Sequence, residues 1–350
     1  MSAVEHWGSG DEGETHTIPA TMLTRRRLLA GTLAGVAGAL AAEAQQVGKV
    51  WRIGYLSAFP RTPGLPYQFD VLLARLRQLG YVEGKNLVVE ARFSEGRAGR
   101  GPALAAELVA ANVDVILALG NWGAAAAKQA TTTIPIVMLG GQDPVGAGLV
   151  ASLPRPGGNV TGLLQDIGHS VLIKQLELLR EVVPRNSRIA VVVAPQQKTS
   201  MDAFELLKPA ATTLEVSLHP ILIQSPDDFE SAFAAIIRER ADALFVLPNP
   251  AILGRPQPVL DFAIRSRIPA TYWWTVMVRL GGLMAYGVDW ADLAGRAATY
   301  VDKIFRGAKP AELPIEQPTK FELLINLKTA RAVGLTIPQS LLLRADQVVE

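Results

Sequence analysis

The 350-residue sequence contains no cysteine. Disulfide bonds, thiolate metal sites, a cysteine nucleophile and an acylated lipoprotein cysteine are therefore excluded. Charge is also scarce, because 19% of the residues are charged and the formal net charge is +2. No basic run lies outside the N-terminal segment, so we expect no nucleic-acid partner. With 49% hydrophobic residues, the composition is typical of a well-packed globular protein with two domains of ordinary size.

The sequence also lacks the motifs that usually carry catalysis. The turn after the first predicted strand reads Ser57-Ala58-Phe59-Pro60 where a dinucleotide-binding enzyme has G-x-G-x-x-G, and neither a Walker loop nor a G-x-S-x-G elbow occurs. Four histidines are present, but His169 and His219 stand alone and no pair has metal-ligand spacing. We therefore expect a binding protein that is not an enzyme and that has no cofactor and no metal.

One uncharged apolar run stands near the N-terminus. It follows Arg25-Arg26-Arg27 and ends at Ala42, and Ala42-Glu43-Ala44 fits a small-x-small cleavage site. Consecutive arginines before such a run resemble a twin-arginine export signal, with Sec export as the alternative. At about 15 residues the run is short for a bilayer span, and a retained anchor is the competing interpretation. We expect residues 1–44, with Met22 as a candidate initiator, to be a cleaved export signal and the mature protein to be periplasmic.

From Lys49 onward, short apolar runs alternate with amphipathic segments. The first pair is the apolar strand Val50–Ser57 and the helix Tyr67–Gly80, whose apolar residues recur at helical spacing up to a terminal glycine. Similar strand–helix units lie on both sides of the glycine-containing stretch Met138–Gly162. This alternation predicts parallel sheets covered by helices, arranged as two similar halves with a crossover at that stretch.

The predicted fold class is α/β, with two Rossmann-like lobes that contain parallel sheets and are joined by a hinge of several crossovers. Lobe 1 is expected to comprise residues 45–162 and about 281–310, and lobe 2 residues 163–280 and about 311–350. The short strand Gly281–Gly287 is expected to return the chain to lobe 1. The crossovers are predicted near Asn159–Leu164, near Val276–Met284 and after Gly307, where the chain leaves a finished strand–helix unit.

In open parallel sheets, ligands bind at the carboxyl ends of the strands where the strand order reverses. Three of the six tryptophans fall on such ends, which favours an aromatic-lined cleft over simple core packing. The start of the helix after Gly120 is expected to attract a carboxylate. The predicted ligand-binding residues are Ser57, Asn121, Trp122, Asp143, Gln196, Asn249, Trp273, Trp274 and Thr275.

Several longer motifs point to a single family. They are GYVEG from Gly80, IPIVM from Ile134, DPVGAGLVASL from Asp143, RPGGNVTG from Arg155, QPTKFELLINLKTARAVGLTIP from Gln317 and SLLLRAD from Ser340. These motifs cover essentially the whole mature chain and resemble the ABC-transporter substrate-binding proteins of the tryptophan/tyrosine type. The resemblance implies a type I periplasmic-binding fold that closes on a small organic ligand, an amino acid or an aromatic carboxylate.

The function that the resemblance implies is a solute receptor for an ABC importer. Its partners would be a small-molecule ligand and a permease in the inner membrane, and the protein is expected to be a monomer. A periplasmic sensor that presents its ligand to a membrane kinase or a chemoreceptor is the alternative, since it would use the same fold and cleft. A cytoplasmic repressor is excluded, because no helix-turn-helix precedes the first lobe.

Overall fold

Two β-sheets organise the part of the chain that the structure, a computed structural model, describes. The described residues are 48–59, 67–95, 97–165 and 168–350. The predicted export signal therefore lies outside them, and so does the side chain of His169. Within the described residues, no helix combines the length and the apolar character needed to cross a membrane.

The first sheet has five parallel strands in the order β2-β1-β3-β4-β5. The strands are β1 Trp51–Ser57, β2 Leu87–Phe93, β3 Val115–Leu119, β4 Ile136–Gly141 and β5 Val160–Leu164. The connecting helices are α1 Tyr67–Gln78, α2 Gly101–Ala110 and α3 Gly120–Ala130. Every residue of β3, β4 and β5 is buried, which explains why these strands are apolar without alternation.

The second sheet has seven strands in the order β12-β11-β10-β9-β8-β6-β7. The strands are β6 Arg188–Val193, β7 Ser217–Leu222, β8 Ala243–Val246, β9 Ala270–Tyr272, β10 Met284–Val288, β11 Phe321–Asn326 and β12 Gln347–Val349. Described pairings in this sheet are parallel except that of β10 with β11. The α/β fold with two sheet-centred lobes is thus confirmed.

Helices cover both sheets. The remaining ones are α4 Gly168–Val182, α5 Lys198–Thr213, α6 Phe229–Arg238, α7 Pro250–Gly254, α8 Gln257–Arg265, α9 Val276–Arg279, α10 Trp290–Phe305, α11 Leu327–Val333 and α12 Gln339–Leu342. Neighbouring residues of β3 point to opposite faces, so Leu117 packs in the α1–α10 layer and Ile116 in the α2–α3 layer. The first sheet is therefore covered by one helical layer on each face.

One predicted boundary differs from the structure. The strand expected to return the chain to lobe 1, now β10, instead pairs with β9 and β11 in the second sheet. The chain crosses after Val288, and α10 packs on α1, β4 and β5 of the first lobe. The apolar run between glycines correctly indicated a strand. Its sheet depends on long-range pairing, which no local pattern encodes.

Three crossovers join the lobes, and backbone hydrogen bonds tie them together. The first follows β5, and the others lie between β10 and α10 and before β11. Leu164 N–H donates to the Glu316 carbonyl at 2.8 Å, and Asp289 N–H donates to the Lys320 carbonyl at 3.1 Å. The segment Pro310–Glu316 therefore lies against lobe 1 before the chain enters β11, and the predicted boundary at residue 162 falls inside β5.

Candidate functional site

A cavity of about 420 Å³ lies at the carboxyl ends of the strands of both sheets. In each sheet the strand order reverses once, between β1 and β3 in the first and between β6 and β8 in the second. The connections that leave β1 and β3 go to opposite faces of the first sheet, and those that leave β6 and β8 go to opposite faces of the second. A crevice remains between the two connections at each switch point. The volume is in the range of small-molecule sites.

The lining is aromatic and uncharged. It consists of Ala58, Phe59, Ser94, Leu119, Gly120, Asn121, Trp122, Gly140, Gln165, Gln197, Pro250, Leu253, Gly254, Trp273, Trp274 and Trp290. Among the described residues that line it, four are tryptophans and none carries a formal charge. Such a wall favours a flat apolar ligand, with the ligand's polar groups met by amides, hydroxyls and backbone dipoles.

An aromatic chain crosses the cavity from one lobe to the other. The ring of Phe59, which follows β1, stacks on the ring of Trp274, which follows β9, with centroids 4.9 Å apart and planes inclined by 24°. Trp274 meets Trp290 edge to face, with centroids 6.2 Å apart. Because Phe59 belongs to lobe 1 and Trp274 to lobe 2, these contacts couple the position of the lobes to the shape of the cavity.

The position of Trp290 depends on a glycine at the end of β4. Gly140 has φ +77°, and a Cβ atom there would lie 2.5 Å from the Trp290 ring. A side chain at this position would therefore displace the ring and also strain the backbone. Gly140 lets the first residue of α10 pack over the strand end and contribute its indole to the cavity wall.

Asn121 acts as a clamp between two loops. Its Nδ2 donates to the Gln142 carbonyl at 2.5 Å, and its Oδ1 accepts from the Gln142 N–H at 2.9 Å. Both ends of the amide thus hold the loop after β4 next to the start of α3. Trp122 follows, half-buried, with its ring close to Gly101 of α2. The clamp orients the first turn of α3 toward the cavity.

The first turn of α3 forms part of the cavity wall. The N-cap position is Leu119, and no described side chain caps this helix. The first N–H groups of a helix have no partner within the helix and carry partial positive charge. Since Gly120, Asn121 and Trp122 all line the cavity, a carboxylate there would find a favourable electrostatic environment.

Four of the nine predicted site residues line the cavity, namely Asn121, Trp122, Trp273 and Trp274. Two of the others are exposed and serve loops. The Asp143 carboxylate accepts from the Gly146 N–H at 2.9 Å in a turn, and Gln196 donates to the Gln224 carbonyl at 3.2 Å. Their side chains are thus held by local loop contacts outside the lining.

The remaining three predicted residues, Ser57, Asn249 and Thr275, are buried behind the wall. Ser57 Oγ accepts from the Phe59 N–H at 3.0 Å, and Asn249 accepts from the Ala251 N–H at 2.9 Å. Asn249 also donates to the Ile223 carbonyl at 2.9 Å. These side chains shape the turns that carry lining residues, so their hydrogen-bonding capacity is used within the fold.

Sequence reasoning missed several lining residues. Gln197 lies one position beyond the predicted Gln196. Both residues follow the end of β6, where the in-and-out alternation of strand side chains no longer predicts their direction. Gln165 follows β5, and Trp290 follows β10. Trp290 carried a usable signal, because it stands at a strand end after the capping residue Asp289.

Two buried titratable groups lie behind the cavity. Burial raises the pKa of the Tyr55 hydroxyl above its ordinary value, so this residue of β1 stays neutral. Burial also raises the pKa of the Glu322 carboxyl on β11, opposed in part by a hydrogen bond with Thr275. Neither group lines the cavity. Among the residues that the structure describes, no cluster of histidines and carboxylates could hold a metal ion.

Comparisons with known proteins agree with this geometry. Residues 57–349 match the family of ABC transporter substrate binding proteins. A tyrosine-binding protein of Clostridioides difficile strain R20291 is 25% identical over 280 residues, which are 80% of each chain. A conserved domain protein of Vibrio cholerae has a structure with TM-score 0.74 and 30% identity, covering 86% of this chain and all of that one. The structure of an ABC domain from Streptococcus pneumonia in complex with L-Trp has TM-score 0.73 and 27% identity. The match covers 85% of this chain and 99% of that one.

Proposed function

Because this chain belongs to the family of ABC transporter substrate binding proteins, whose members bind solutes and are not enzymes, we propose that it captures an aromatic amino acid for an ABC importer. The ligand is held between the two lobes and delivered to a permease in the inner membrane. The expectation that the chain is not an enzyme is confirmed by its family. The ligand, the import step and the permease are the parts that we propose.

The observation that carries the proposal is the pairing of an uncharged, tryptophan-lined wall with the open start of α3. Trp273, Trp274 and Trp290 offer faces and edges for an aromatic ring. The amides of the first turn of α3, which no described side chain caps, suit the α-carboxylate of the same molecule. An aromatic amino acid has both groups within one small ligand.

The relatives support this ligand class. One similar protein is a tyrosine-binding protein, and one similar structure contains L-Trp. In those proteins the ligands are aromatic amino acids, and the lining of the cavity in this chain has the matching chemistry. A related fold alone would not name a ligand, so the proposal depends on the residues of the cavity as well.

Binding is proposed to act by hinge closure. A ligand that touches Trp122 of lobe 1 and Trp273 of lobe 2 gains all its contacts only when the lobes are together, so it shifts the population toward closure. The three crossovers absorb the rotation while each sheet stays rigid. The permease would then recognise the closed surface.

A thermal-shift and calorimetry series tests the ligand. L-tryptophan and L-tyrosine should raise the melting temperature in proportion to the logarithm of their concentration, because they bind the folded state. Tryptamine and tyramine, which lack the carboxylate, should bind at least about tenfold more weakly if the α3 amides hold that group. L-leucine is the control for the aromatic ring, because its side chain is apolar but not aromatic. L-lysine is the control for side-chain charge. Equal binding of amines and amino acids would contradict the role of α3.

Solution scattering tests closure. Saturation with a ligand that calorimetry has shown to bind should reduce the radius of gyration, and the change should be accompanied by altered tryptophan fluorescence, since four indoles line the cavity. Identical scattering curves with and without that ligand would contradict the two-lobe clamp.

Export and oligomeric state complete the proposal. We infer a periplasmic monomer from which residues 1–44 have been removed, in keeping with the exported location typical of such receptors. Cell fractionation with N-terminal sequencing tests the location and the cleavage site, and sedimentation tests the mass. Full-length protein in the inner membrane would contradict a cleaved signal.

A further inference from the structure

Gln165 lines the cavity at the end of β5, where the first crossover between the lobes begins. The residue is half-buried. Its side-chain amide has no hydrogen-bond partner among the residues that the structure describes. An amide carries one oxygen that accepts and one nitrogen that donates, so both groups of Gln165 are open to a molecule in the cavity.

The other polar side chains of the lobe 1 wall are used by the fold or can only donate. Asn121 uses both ends of its amide on Gln142. Ser94 is fully buried, and its hydroxyl donates to the Ala58 carbonyl at 3.5 Å. The indoles offer an N–H donor and no acceptor. Among the described residues of that wall, Gln165 thus offers the side-chain oxygen that is neither used by the fold nor fully buried.

Backbone contacts place Gln165 close to the start of α3. Its N–H donates to the Gly141 carbonyl at 2.9 Å. Gly141 lies against Asn121, because a Cβ atom on Gly141 would be 3.0 Å from the Asn121 Oδ1 atom. The next residue, Gln142, is held by the Asn121 amide. The end of β5 and the first turn of α3 therefore border the same part of the cavity.

An α-amino acid carries its ammonium and its carboxylate on the same carbon atom. A carboxylate at the start of α3 therefore brings the ammonium to the part of the cavity that Gln165 lines. An ammonium group has donors only, and it needs acceptors when it leaves water. Since none of the described lining residues carries a formal charge, neutral oxygen atoms have to accept these hydrogen bonds.

We propose that Gln165 selects amino acids over their desamino analogues, because its Oε1 accepts a hydrogen bond from the α-ammonium of the ligand. The inference rests on the proposed binding of an aromatic amino acid. A hydrogen bond to a charged group is stronger than one between neutral groups. Gln165 and the first turn of α3 together recognise the ammonium and the carboxylate, while the tryptophans meet the ring.

Two ligand pairs test the proposal by calorimetry. They are L-tryptophan with indole-3-propionate, and L-tyrosine with 3-(4-hydroxyphenyl)propionate. The members of each pair differ only in the ammonium group. The wild-type protein should prefer the amino acid by about tenfold or more in at least one pair. Gln165→Met keeps the length of the side chain but removes the amide, so it should reduce that preference to about threefold or less.

Gln165→Glu should change the preference in the opposite direction. The carboxylate has nearly the same shape as the amide and attracts the ammonium, whereas the desamino analogue brings only a carboxylate, which it repels. The preference for the amino acid should therefore exceed that of the wild type by about threefold or more. Thermal melts of both unliganded variants should resemble the wild type, because the Gln165 amide has no partner within the described part of the chain.

The matched control is Gln197→Met. Gln197 also lines the cavity and is half-buried, but it stands at the start of α5 in lobe 2. Its backbone hydrogen bonds stay within that turn, with Ala194, Ser200 and Met201. No described hydrogen bond links it to the loop after β4 or to α3. This variant should keep the wild-type preference for the amino acid, whatever its effect on absolute affinity.

Several results would overturn the role of Gln165. They are an unchanged preference in Gln165→Met, a preference in Gln165→Glu no higher than in the wild type, equal losses in Gln165→Met and Gln197→Met, and a wild-type protein without preference in both pairs. Each of them leaves the proposed function standing, because the amino acids still bind. A wild-type protein that binds neither L-tryptophan nor L-tyrosine would overturn the proposed function and this inference with it.

Discussion

The two lobes have the same strand order around their switch points but different chemistry at the equivalent turn. After β3 the helix α3 begins behind Leu119, and no described side chain caps it. After β8 the helix α7 begins behind Asn249, whose side chain accepts from the Ala251 N–H at 2.9 Å. The first turn of α3 lines the cavity, and the Asn249 cap satisfies one of the backbone amides at the start of α7.

This difference shows how one architecture places two turns with different hydrogen-bonding capacity at the same cleft. Topology places both turns at the cleft, because parallel strands end at the same edge. The residue at the N-cap then decides whether the turn offers hydrogen bonds or hides them. Under the proposed function, the start of α3 in lobe 1 holds the charged end of the ligand, and Trp273 and Trp274 of lobe 2 cover its ring together with Trp290 of lobe 1.

The largest effect is expected at Gly140. Gly140→Ala should destabilise the fold by about 2–5 kcal/mol, because left-handed backbone strain and the clash with Trp290 add together. Ligand affinity should fall as the indole is displaced. Urea denaturation and calorimetry measure the two effects. The control is Gly148→Ala, where φ is +67° and a Cβ would meet nothing within 4 Å. Equal losses in both variants would show that Trp290 does not need the glycine.

Removal of the cross-cleft aromatic ring should have the next largest effect on binding. Trp274→Ala should weaken ligand affinity by about 2–4 kcal/mol, as expected for a buried aromatic at the centre of an interface. Trp51→Ala is the control. The Trp51 ring stacks on the Phe305 ring with centroids 4.1 Å apart, and neither residue lines the cavity. That variant should lose stability and retain affinity. Similar affinity losses in both would indicate a general effect on the fold.

Substitutions of Asn121 in lobe 1 and Asn249 in lobe 2 test whether the two turns have different roles. Asn121→Ala should weaken binding by about 1–3 kcal/mol, because the first turn of α3 loses its clamp to Gln142 and leaves backbone groups unpaired. Asn249→Ala should lower stability by about 1 kcal/mol, the usual cost of a lost N-cap, with little change in affinity. Calorimetry and thermal melts on the two variants separate these outcomes. A larger affinity loss for Asn249→Ala would reverse the roles assigned to the lobes.

The smallest effect concerns the segment before β11 that lies against lobe 1. Arg296 Nε donates to Glu316 Oε2 at 3.0 Å. Burial by itself would raise the pKa of the Glu316 carboxyl, but hydrogen bonds with Arg296 and Tyr300 and the Arg296 charge outweigh it and lower the pKa. The carboxylate therefore stabilises the fold above its ordinary pKa, and this contribution is lost as the pH falls through the depressed value.

Glu316→Gln should accordingly cost about 0.5–1 kcal/mol at neutral pH, since the pair is partly exposed. The difference from wild type should shrink as the pH falls below about 4. Urea denaturation across this pH range measures it. Glu205→Gln, which breaks an exposed pair with Lys208, should change stability little at any pH. A pH-independent loss in Glu316→Gln would assign the effect to packing.

Local pattern was sufficient for much of the fold. Apolar runs such as Val113–Leu119, observed as the strand Val115–Leu119, predicted buried strands, because a strand covered on both faces has no alternation. The concentration of Trp122, Trp273 and Trp274 at strand ends predicted an aromatic-lined cleft, and all three line the cavity. The family could also be identified, because its motifs recur from Gly80 to the C-terminal segment, within the range 57–349 that matches the family.

Other features required the tertiary structure. The sequence determined that a strand would form within Gly281–Gly287, observed as Met284–Val288, but long-range pairing decided its sheet and hence brought Trp290 to the cavity. Sequence determined that Gln196 and Gln197 follow a strand end, but the local turn decided which of them faces the ligand site. The physical reason is the same in both cases: periodicity sets the local conformation, whereas partners and side-chain directions at strand ends depend on residues far away in the chain.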